Sequence, residues 1–513
     1  MTWKSSPPIS ISRPYSRTST CVRFFLAAFI LLTISCIIFA RRGPHRPWTA
    51  FPPLIVDPLS LELGHPTFPE IRFHERSLPQ HVKPSLFVKV SSDRPRYLYF
   101  PRRTIGGWNN HLQELLLNTH LAYLSQRAYV FSDYVPGEHP PFPDELPHGR
   151  RHKLRVPINA FISGPTAGGA LSTDGTDSLA RRAVSEEWWD IVCPPSERVS
   201  INYHEAMREM GLHEGSEAHD IMFVLARKLL DLSAPCVRID GGFSWDFNHE
   251  TIISLWPSYS ASPALTGFAW SPLITAALFR NHHLFTSNSN QPPPSLTPIT
   301  AKPYHFRSFS SYHASTPPIE GLLGIHIRRG DFSGHCPYLA HDELEYNAWN
   351  QLGTPGIASR PTMYNSTPTQ YFSWPVLPDY LDVPEGQSRA DATLAHCWPT
   401  TDAMRWRINS IRDEAASGRS FPRQDLRRVY IATDGTPEWV KSLSALLSAD
   451  GWEVSSSLDM DLMFEEYAVS QAVDMAVLTA AESFIGSGFS SLTSNVVQIR
   501  LGAGRPPGTI HFW

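Results

Sequence analysis

The chain lacks a strong charge excess, a metal-binding spacing of cysteines and any internal repeat. Its net charge is −4 over 513 residues with a pI near 6.6, so no surface for nucleic acid is expected. Its six cysteines are not spaced like zinc ligands, so they predict no zinc site. A chain of this length exceeds one ordinary hydrophobic core, so we expect two compact domains.

One uncharged apolar run is present near the amino terminus, at residues 24–40. Residues 1–23 before it contain four basic residues and no acidic one. We predict a cytosolic tail at 1–23 and a transmembrane signal anchor at 24–40, which is at the short end of a bilayer span. A cleaved signal peptide is the alternative, but the run ends at Arg41-Arg42 rather than at a small-residue cleavage site. This predicts a single-pass type II protein of the Golgi or ER membrane with a lumenal domain.

Proline is abundant, with 46 residues, and its distribution suggests the domain boundaries. Residues 41–90 are rich in proline and lack helical periodicity, as expected for a stem. Residues 286–318 are rich in Ser, Pro, Thr and Asn, which is typical of a linker or a long surface loop. We therefore predict an N-terminal Rossmann-like domain at 91–285 and a C-terminal one at 319–513, with an insertion loop at 352–390.

The cysteines beyond the apolar run fit a secretory location. Four of them allow three pairings, between which the sequence does not choose, and free buried thiols are the alternative. We favour Cys193–Cys236 and Cys336–Cys397, because each pair lies within one predicted domain. A glycosylation sequon at Asn365 fits the same location, although Pro368 follows it.

The most informative segment is the run from Leu322 to Phe332, Leu-Leu-Gly-Ile-His-Ile-Arg-Arg-Gly-Asp-Phe. A short apolar strand that ends in His326, Arg328, Arg329 and Asp331 delivers polar side chains to the carboxyl edge of a sheet. Arginine grips phosphate with two parallel hydrogen bonds, which lysine cannot do. The alternative is an internal ion pair between one of the arginines and Asp331.

A second polar cluster follows the predicted strand Ser483–Gly486. Two glycines permit a tight backbone, and Ser490 and Ser491 stand where a helix with Leu492 begins. Free N–H groups and the helix dipole make such an end an anion site. Ordinary capping of the helix by Ser490 or Ser491 is the alternative.

The first domain contains a similar device. A predicted strand at 97–100 is followed by Gly-Gly, by polar residues, by a buried helix ending near Gln126, and by a strand at 128–131, which is a nucleotide-type βαβ unit. Glycines let backbone approach a ligand closely, and amides donate to phosphate or sugar oxygens. The candidate ligand-binding residues of this turn are Gly106, Gly107, Asn109, Asn110 and His111.

Two carboxylates are candidates for base recognition. Asp434 directly follows a predicted strand at 429–432, and Asp474 lies within an apolar helical run predicted at about 466–481. A carboxylate on an apolar face needs a partner. Guanine, with adjacent N1–H and N2–H donors, would suit either acid, whereas a surface position or a salt bridge is the alternative for each.

These motifs, in this order, resemble the GDP-fucose protein O-fucosyltransferase family and its α-1,6- and α-1,2-fucosyltransferase relatives. The resemblance spans roughly residues 95–501. It is carried by Gly106-Gly107-x-Asn109-Asn110, by His326 to Phe332, by Val429-Tyr430-Ile431-Ala432-Thr433-Asp434, and by Val473-Asp474 through Phe484-Ile485-Gly486 to Ser490-Ser491-Leu492.

The resemblance implies an α/β fold of the GT-B type, in which two Rossmann-like domains face a cleft and the second holds most of the GDP-fucose donor. It implies inverting transfer of fucose to a protein or glycan hydroxyl, without metal or other cofactor. Arg328 would hold the β-phosphate, with Asp331 orienting the arginines and Asn110 approaching from the first domain. Asp434 and Asp474 would read guanine, and Ser490, Ser491 and Leu492 would close on the diphosphate.

The chain departs from the family where a catalytic base is concerned. One branch carries a glutamate beside the glycine motif, but here Thr104 and Ile105 precede Gly106, so no base can be assigned; His111 and Glu114 are the nearby candidates. Two other hypotheses therefore remain: a catalytically silent, membrane-tethered nucleotide- or glycan-binding scaffold, and a transferase of the same fold that uses another nucleotide sugar.

Overall fold

The structure is a computed structural model. It describes residues 65–81, 94–101, 106–136, 155–172, 174–213, 215–241, 245–287, 292–299, 305–356, 374–418 and 424–513. These all belong to a compact unit that spans Val56–Trp513. The predicted tail, the predicted anchor and the sequon at Asn365 lie outside the described residues. Within the described ranges, no helix combines the length and the apolar character needed to cross a bilayer.

The amino-terminal half is built on a five-stranded sheet in the order β4-β2-β1-β6-β5. All neighbouring strands are parallel. The order reverses between β1 and β6, and such a switch point opens a crevice at the carboxyl ends of the strands. The strands are β1 (Tyr97–Tyr99), β2 (Ala128–Phe131), β4 (Val184–Ser185), β5 (Arg198–Asn202) and β6 (Cys236–Asp240).

The carboxyl-terminal half contains a second five-stranded sheet, in the order β11-β10-β9-β12-β13. It is also entirely parallel, and its switch point lies between β9 and β12. Two parallel sheets confirm the predicted α/β class. The strands are β9 (Ile319–Ile327), β10 (Arg428–Thr433), β11 (Glu453–Ser456), β12 (Ala481–Gly486) and β13 (Ile510–Phe512).

Helices cover both sheets, and a small antiparallel sheet, β3-β7-β8, is formed by segments that precede β9. Its strands are β3 (Ile162–Ser163), β7 (Ala269–Trp270) and β8 (Tyr312–His313). The helices are α1 (Phe68–Arg76), α2 (Trp108–Leu124), α3 (Ile158–Phe161), α4 (Glu186–Val192), α5 (Tyr203–Glu209), α6 (Ala218–Asp231), α7 (Trp256–Tyr259), α8 (Pro263–Thr266), α9 (Pro272–Asn281), α10 (Phe332–His341), α11 (Arg389–Cys397), α12 (Thr401–Ser417), α13 (Pro437–Ala449), α14 (Phe464–Ala468), α15 (Ser470–Ala480) and α16 (Ser491–Gly502).

One hydrophobic core runs through both halves. It joins Leu98 of β1 and Leu116 of α2 to Tyr430 of β10 and Val477 of α15. A second cluster covers the other face of the second sheet, where Ile408 of α12 packs with strand residues. Because parallel strands are buried on both faces, β9 is a nearly continuous apolar run up to its carboxyl end.

Each half of the molecule contains one disulfide. Cys193 bonds to Cys236 and Cys336 to Cys397, which is the pairing favoured from the sequence. The first ties the end of α4 to the start of β6, and the second ties α10 to α11. Both therefore hold a helix next to a sheet or to a neighbouring helix.

The predicted stem is wrong for residues 65–81. This segment forms α1, whose Ile71 is fully buried in the main core. The helix starts with a capping box formed by Thr67 and Glu70, a local signal that the proline-rich composition masks. The remainder of 41–90 lies largely outside the described residues.

Three other segments differ from the sequence interpretation. The stretch 286–318 contains β8 and the buried Phe306, so part of it belongs to the core rather than to a linker. The helix predicted over about 466–481 is two helices, α14 and α15, separated at Val469. The chain also forms β13 after the helix that we expected to be the last element. The domain boundaries themselves stay a prediction.

Candidate functional site

The candidate site is a cleft of about 680 Å³ between the two halves. It opens at the carboxyl ends of both parallel sheets, beside the two switch points, where α/β proteins generally bind ligands. All but one of the predicted donor-binding residues line it. They are Gly106, Gly107, Asn109, Asn110, His326, Arg328, Asp331, Asp434, Asp474, Ser490, Ser491 and Leu492.

Arg328 follows β9, the central strand of the second sheet, and lies in an acidic cradle. Its Nε and Nη2 donate to Oδ1 of Asp331 at 3.1 and 2.7 Å, and Nε lies 2.8 Å from Oδ2 of Asp434. The guanidinium also lies over the ring of Phe332, 5.1 Å from its centroid. The two carboxylates thus fix the direction of the guanidinium, while Nη1 makes no hydrogen bond to a described residue.

Arg329 is the predicted residue that does not line the cleft. Its guanidinium lies 4.4 Å from the ring centroid of Trp398 and 5.0 Å from that of Trp439, and it donates to the carbonyl of Pro399. Successive residues of an extended segment point to opposite sides, so only one of two adjacent arginines faces a ligand. The expectation that Arg329 binds the donor is therefore not supported by its position.

Three helix amino termini meet at the cleft. Helix α2 begins after Gly107, which provides no side-chain cap, and α10 begins after Asp331 without a side-chain cap. Helix α16 begins after Ser490, whose side chain accepts from the N–H of Leu492, as the capping alternative predicts. Each amino terminus carries partial positive charge and unpaired N–H groups. Their convergence on Arg328 creates a region suited to a polyanion.

The glycine turn of the first half brings backbone and amides to the same place. Gly106 has a φ of +85°, and a Cβ there would lie 2.7 Å from Nδ2 of Asn110, so a side chain would collide with that amide. Asn110 is exposed to the cleft. Asn109 is instead buried, and its Nδ2 donates to Oε1 of Gln471 at 3.2 Å. Asn110 is thus available to a ligand, whereas Asn109 joins the halves.

Asp474 occupies the end of the cleft next to β10. Its carboxylate accepts hydrogen bonds from the hydroxyls of Tyr430 and Ser457, at 2.6 and 3.0 Å. Burial raises its pKa to about 6, and these two hydrogen bonds act in the opposite direction. Asp434 also lies at this end but is bound to Arg328 and to the N–H of Arg329. Asp474 is therefore the better placed of the two for recognition of a base.

His326 is a buried neutral residue of the cleft floor. Burial lowers its pKa to about 3, and the charge of Arg328 acts in the same direction. Its Nδ1 lies 2.9 Å from the hydroxyl of Thr493 in α16. This contact links the end of β9 to the helix that follows β12, so His326 holds the two sides of the switch point together.

Several cleft residues were missed by the sequence analysis. His335 and Tyr338 of α10 follow Phe332 at intervals of three, a spacing that could have indicated one helix face. The others lie in loops or on helices whose orientation the sequence does not reveal. They are Asn248, Leu344, Glu345, Asn347, Gln471 and Phe489.

Neither candidate base from the glycine turn, His111 or Glu114, belongs to the residues that line the cleft. The carboxylates that do line it are Asp331, Glu345, Asp434 and Asp474. In the described parts of the chain, no group of three or more His, Cys, Asp or Glu side chains is arranged to hold a metal ion.

Fold and cleft together define a parallel α/β protein with a ligand site between two Rossmann-like sheets. No protein-family model matches the sequence, and neither does any curated protein. Among solved structures, the chain is similar to POFUT1 in complex with GDP-fucose, with a TM-score of 0.46 and 13% identity over 82% of this chain and 99% of that one. POFUT1 in complex with GDP matches with a TM-score of 0.46 and 12% identity over the same shares. We therefore argue function from the residues of this chain.

Proposed function

We propose that this protein is a glycosyltransferase of GT-B architecture that transfers fucose from GDP-fucose to a protein or glycan hydroxyl. The observation that carries the proposal is that Arg328 lines one cleft with the amino termini of α10 and α16, at the switch point of the second sheet, and with that of α2 from the first half. The resemblance of the cleft motifs to the protein O-fucosyltransferase family supports the choice of GDP-fucose.

The chemistry requires stabilisation of the departing GDP. During transfer the bond from fucose C1 to the β-phosphate oxygen breaks, a bond from C1 to the acceptor oxygen forms on the opposite face, and the proton of the acceptor hydroxyl passes to the departing GDP or to water. Negative charge grows on the diphosphate while C1 becomes oxocarbenium-like. Arg328, held by Asp331 and Asp434, and the N–H group of Ser491 at the start of α16 are positioned to receive that charge. We propose that this replaces the divalent cation used by other transferases.

The proposed location is the lumen of the Golgi or ER, behind a membrane anchor. The two disulfides support an oxidising compartment, because such bonds are rare in reducing ones. The anchor at residues 24–40 and the type II orientation rest on the sequence pattern alone.

A catalytically silent binding protein is the second candidate. It is favoured by the ion pairs of Arg328, which both nearby carboxylates already engage. A phosphate must compete with these carboxylates for the guanidinium, and a protein that needs Arg328 only for structure would look the same. Turnover of GDP-fucose distinguishes the two candidates.

The test is titration of the full-length protein, in EDTA, with GDP, GDP-fucose, GDP-mannose and UDP. We expect micromolar binding of the GDP ligands, and a loss of at least ~2 kcal/mol, or about 30-fold in Kd, for Arg328→Ala. Arg329→Ala is the matched control, since its side chain packs between tryptophans: it should lower the melting temperature and leave the Kd for GDP unchanged.

Other results would contradict the proposed function. If no GDP ligand binds, or Arg328→Ala binds as the wild type does, Arg328 is structural and the donor site is wrong. Tight binding of GDP-fucose without transfer of fucose to the acceptors offered supports the catalytically silent binding protein. Preference for UDP would indicate a transferase that uses another sugar donor.

A further inference from the structure

Helix α10 presents a row of aromatic rings to the cleft. Phe332, His335 and Tyr338 are three residues apart and all line it. The ring centroids of Phe332 and His335 are 5.2 Å apart, and those of His335 and Tyr338 are 5.8 Å apart at an interplanar angle of 30°. Phe332 lies beneath Arg328, so the row leads from the anion site toward solvent. The rings of His335 and Tyr338 are accessible, whereas that of Phe332 is buried.

The outer ring of this row is exposed but fixed. Tyr338 is 53% exposed, so its ring is accessible to a ligand in the cleft. Its hydroxyl hydrogen-bonds to Asp342, one turn further on, which raises the pKa of Tyr338. The adjacent Cys336 is buried and bonded to Cys397. The ring is thus held on a stapled helix, and a ligand that stacks on it need not order it first.

The strand order separates this row from the proposed base-recognition end. Arg328 follows β9, which lies between β10 and β12. Asp434 follows β10, and Asp474 is bound to Tyr430 of that strand. The aromatic row begins at Phe332, whose ring lies under Arg328. A nucleotide that spans from Asp474 to Arg328 therefore ends where the row begins.

Polar groups from both halves flank the rings. The carboxylate of Glu345 is oriented by Arg389, whose Nη2 lies 2.6 Å from Oε1. Asn248, from the first half, accepts a hydrogen bond from Nδ2 of Asn347 at 3.1 Å. The side-chain N–H groups of Asn248 take no part in this contact. Partial burial lowers the pKa of His335, which favours the uncharged form of its ring. Ring faces beside carboxylate and amide groups match a molecule with one apolar face and a rim of hydroxyls.

We propose that the aromatic face of α10, formed by His335 and Tyr338, is an acceptor subsite that takes a pyranose ring. The C–H face of the sugar stacks on the two rings, where the negative π face meets polarised hydrogens. Glu345 and Asn248 bind its hydroxyl groups. This inference rests on the proposed function, and it selects a carbohydrate over a polypeptide as the acceptor.

The test measures binding of saccharides to the full-length protein by saturation-transfer NMR, with and without GDP. The probes are a panel of pyranose oligosaccharides of different linkage and a peptide that carries Ser and Thr. We expect saccharide binding to weaken at least tenfold in Tyr338→Ala, but to stay within about threefold in Tyr338→Phe, which keeps the ring. Trp406→Ala is the matched control, because Trp406 is also exposed (69%) but lies on α12, outside the cleft.

Three other outcomes would overturn the subsite. No saccharide binding by a protein that binds GDP would leave the donor site intact and remove the acceptor proposal. A Tyr338-dependent preference for the peptide would assign the rings to a protein acceptor. Weakened GDP binding in Tyr338→Ala, by tenfold or more, would assign them to the nucleotide base. Saccharide binding that depends on Tyr338 in a protein that does not bind GDP would instead contradict the proposed function alone.

Discussion

The carboxyl group of Asp474 should make binding of guanine nucleotides depend on pH. Its pKa of about 6 lies above the ordinary value because burial disfavours the charge, so it takes up a proton as the pH falls below 6. A protonated carboxyl no longer offers two acceptors to the N1–H and N2–H of guanine. We expect the Kd for GDP-mannose to rise roughly tenfold for each pH unit below this value. Calorimetric titration at pH 5, 6, 7 and 8 measures it.

Sugar nucleotides are the right ligands for this experiment because they lack the terminal phosphate whose own proton titrates near pH 6. Asp474→Asn should bind more weakly and with the same Kd at every pH. Tyr430→Phe removes a hydrogen bond that lowers the pKa of Asp474, so it should move the midpoint to higher pH. An unchanged pH profile in Asp474→Asn would show that another group is responsible.

At the level of single residues, the sequence identified most of the cleft but not the role of each member. Arg328 and Arg329 are adjacent and look equivalent in sequence. They differ because Trp398 and Trp439, which enclose Arg329, come from distant segments. Tyr338 was missed although it shares a helix face with Phe332, because that spacing alone does not show that this face of α10 turns to the cleft.

Helix α10 depends on its disulfide, and this distinguishes the two cystine bridges. Their sequence separations are similar, 43 and 61 residues, so chain entropy predicts a similar loss of about 4 kcal/mol when either is removed. Replacing Cys336 and Cys397 by serine should also weaken GDP binding, because the first turn of α10 carries Asp331 and Phe332 against Arg328. Denaturant unfolding and GDP titration measure the two effects.

The control is the double replacement of Cys193 and Cys236. This bridge packs with Trp189 on the outer face of the first sheet, so its loss should lower stability and leave GDP affinity within about twofold. If both pairs of replacements weaken GDP binding equally, the effect is one of general stability and α10 has no special part in the site.

Secondary structure was predictable where a pattern is local. Strands β2 and β10 agree with the sequence analysis. Strand β13 was missed because Ile510–Phe512 is only three residues long and is defined by its pairing with β12. Helix α1 was missed because prolines on both sides of it suggested an extended stem.

The two halves are joined by amides as well as by apolar side chains. Nε2 of Gln113 in α2 donates to Oδ1 of Asn347 and Oγ of Ser494, at 2.8 and 2.9 Å. Nδ2 of Asn495 donates to the carbonyl of Asn109 at 2.8 Å. Such buried networks require all partners to be in place. The halves are therefore expected to unfold together, with the cleft between two parts of one cooperative unit.

Helix α1 extends this union, because its segment contacts both halves. Arg72 pairs with Asp133 beyond β2 at 2.8 Å, whereas His65 bonds to Glu465 of α14 at 3.0 Å. Between them Ile71 is fully buried in the shared core. If α1 is part of the folded unit that contains the cleft, Ile71→Ala should lower the free energy of unfolding by about 2–4 kcal/mol. The loss should appear as a shift of one transition rather than as a new one, because the same core runs through both sheets.

Phe73→Ala is the matched control on the same helix, since Phe73 is 56% exposed; it should change stability by less than about 1 kcal/mol. Denaturant unfolding followed by fluorescence and by circular dichroism measures both variants. Equal, small effects would mean that residues 65–81 act as a tether after all. A large effect confined to Ile71→Ala would mean that any fragment of this protein made for donor or acceptor binding has to begin before His65, because removing α1 opens the core beneath the cleft.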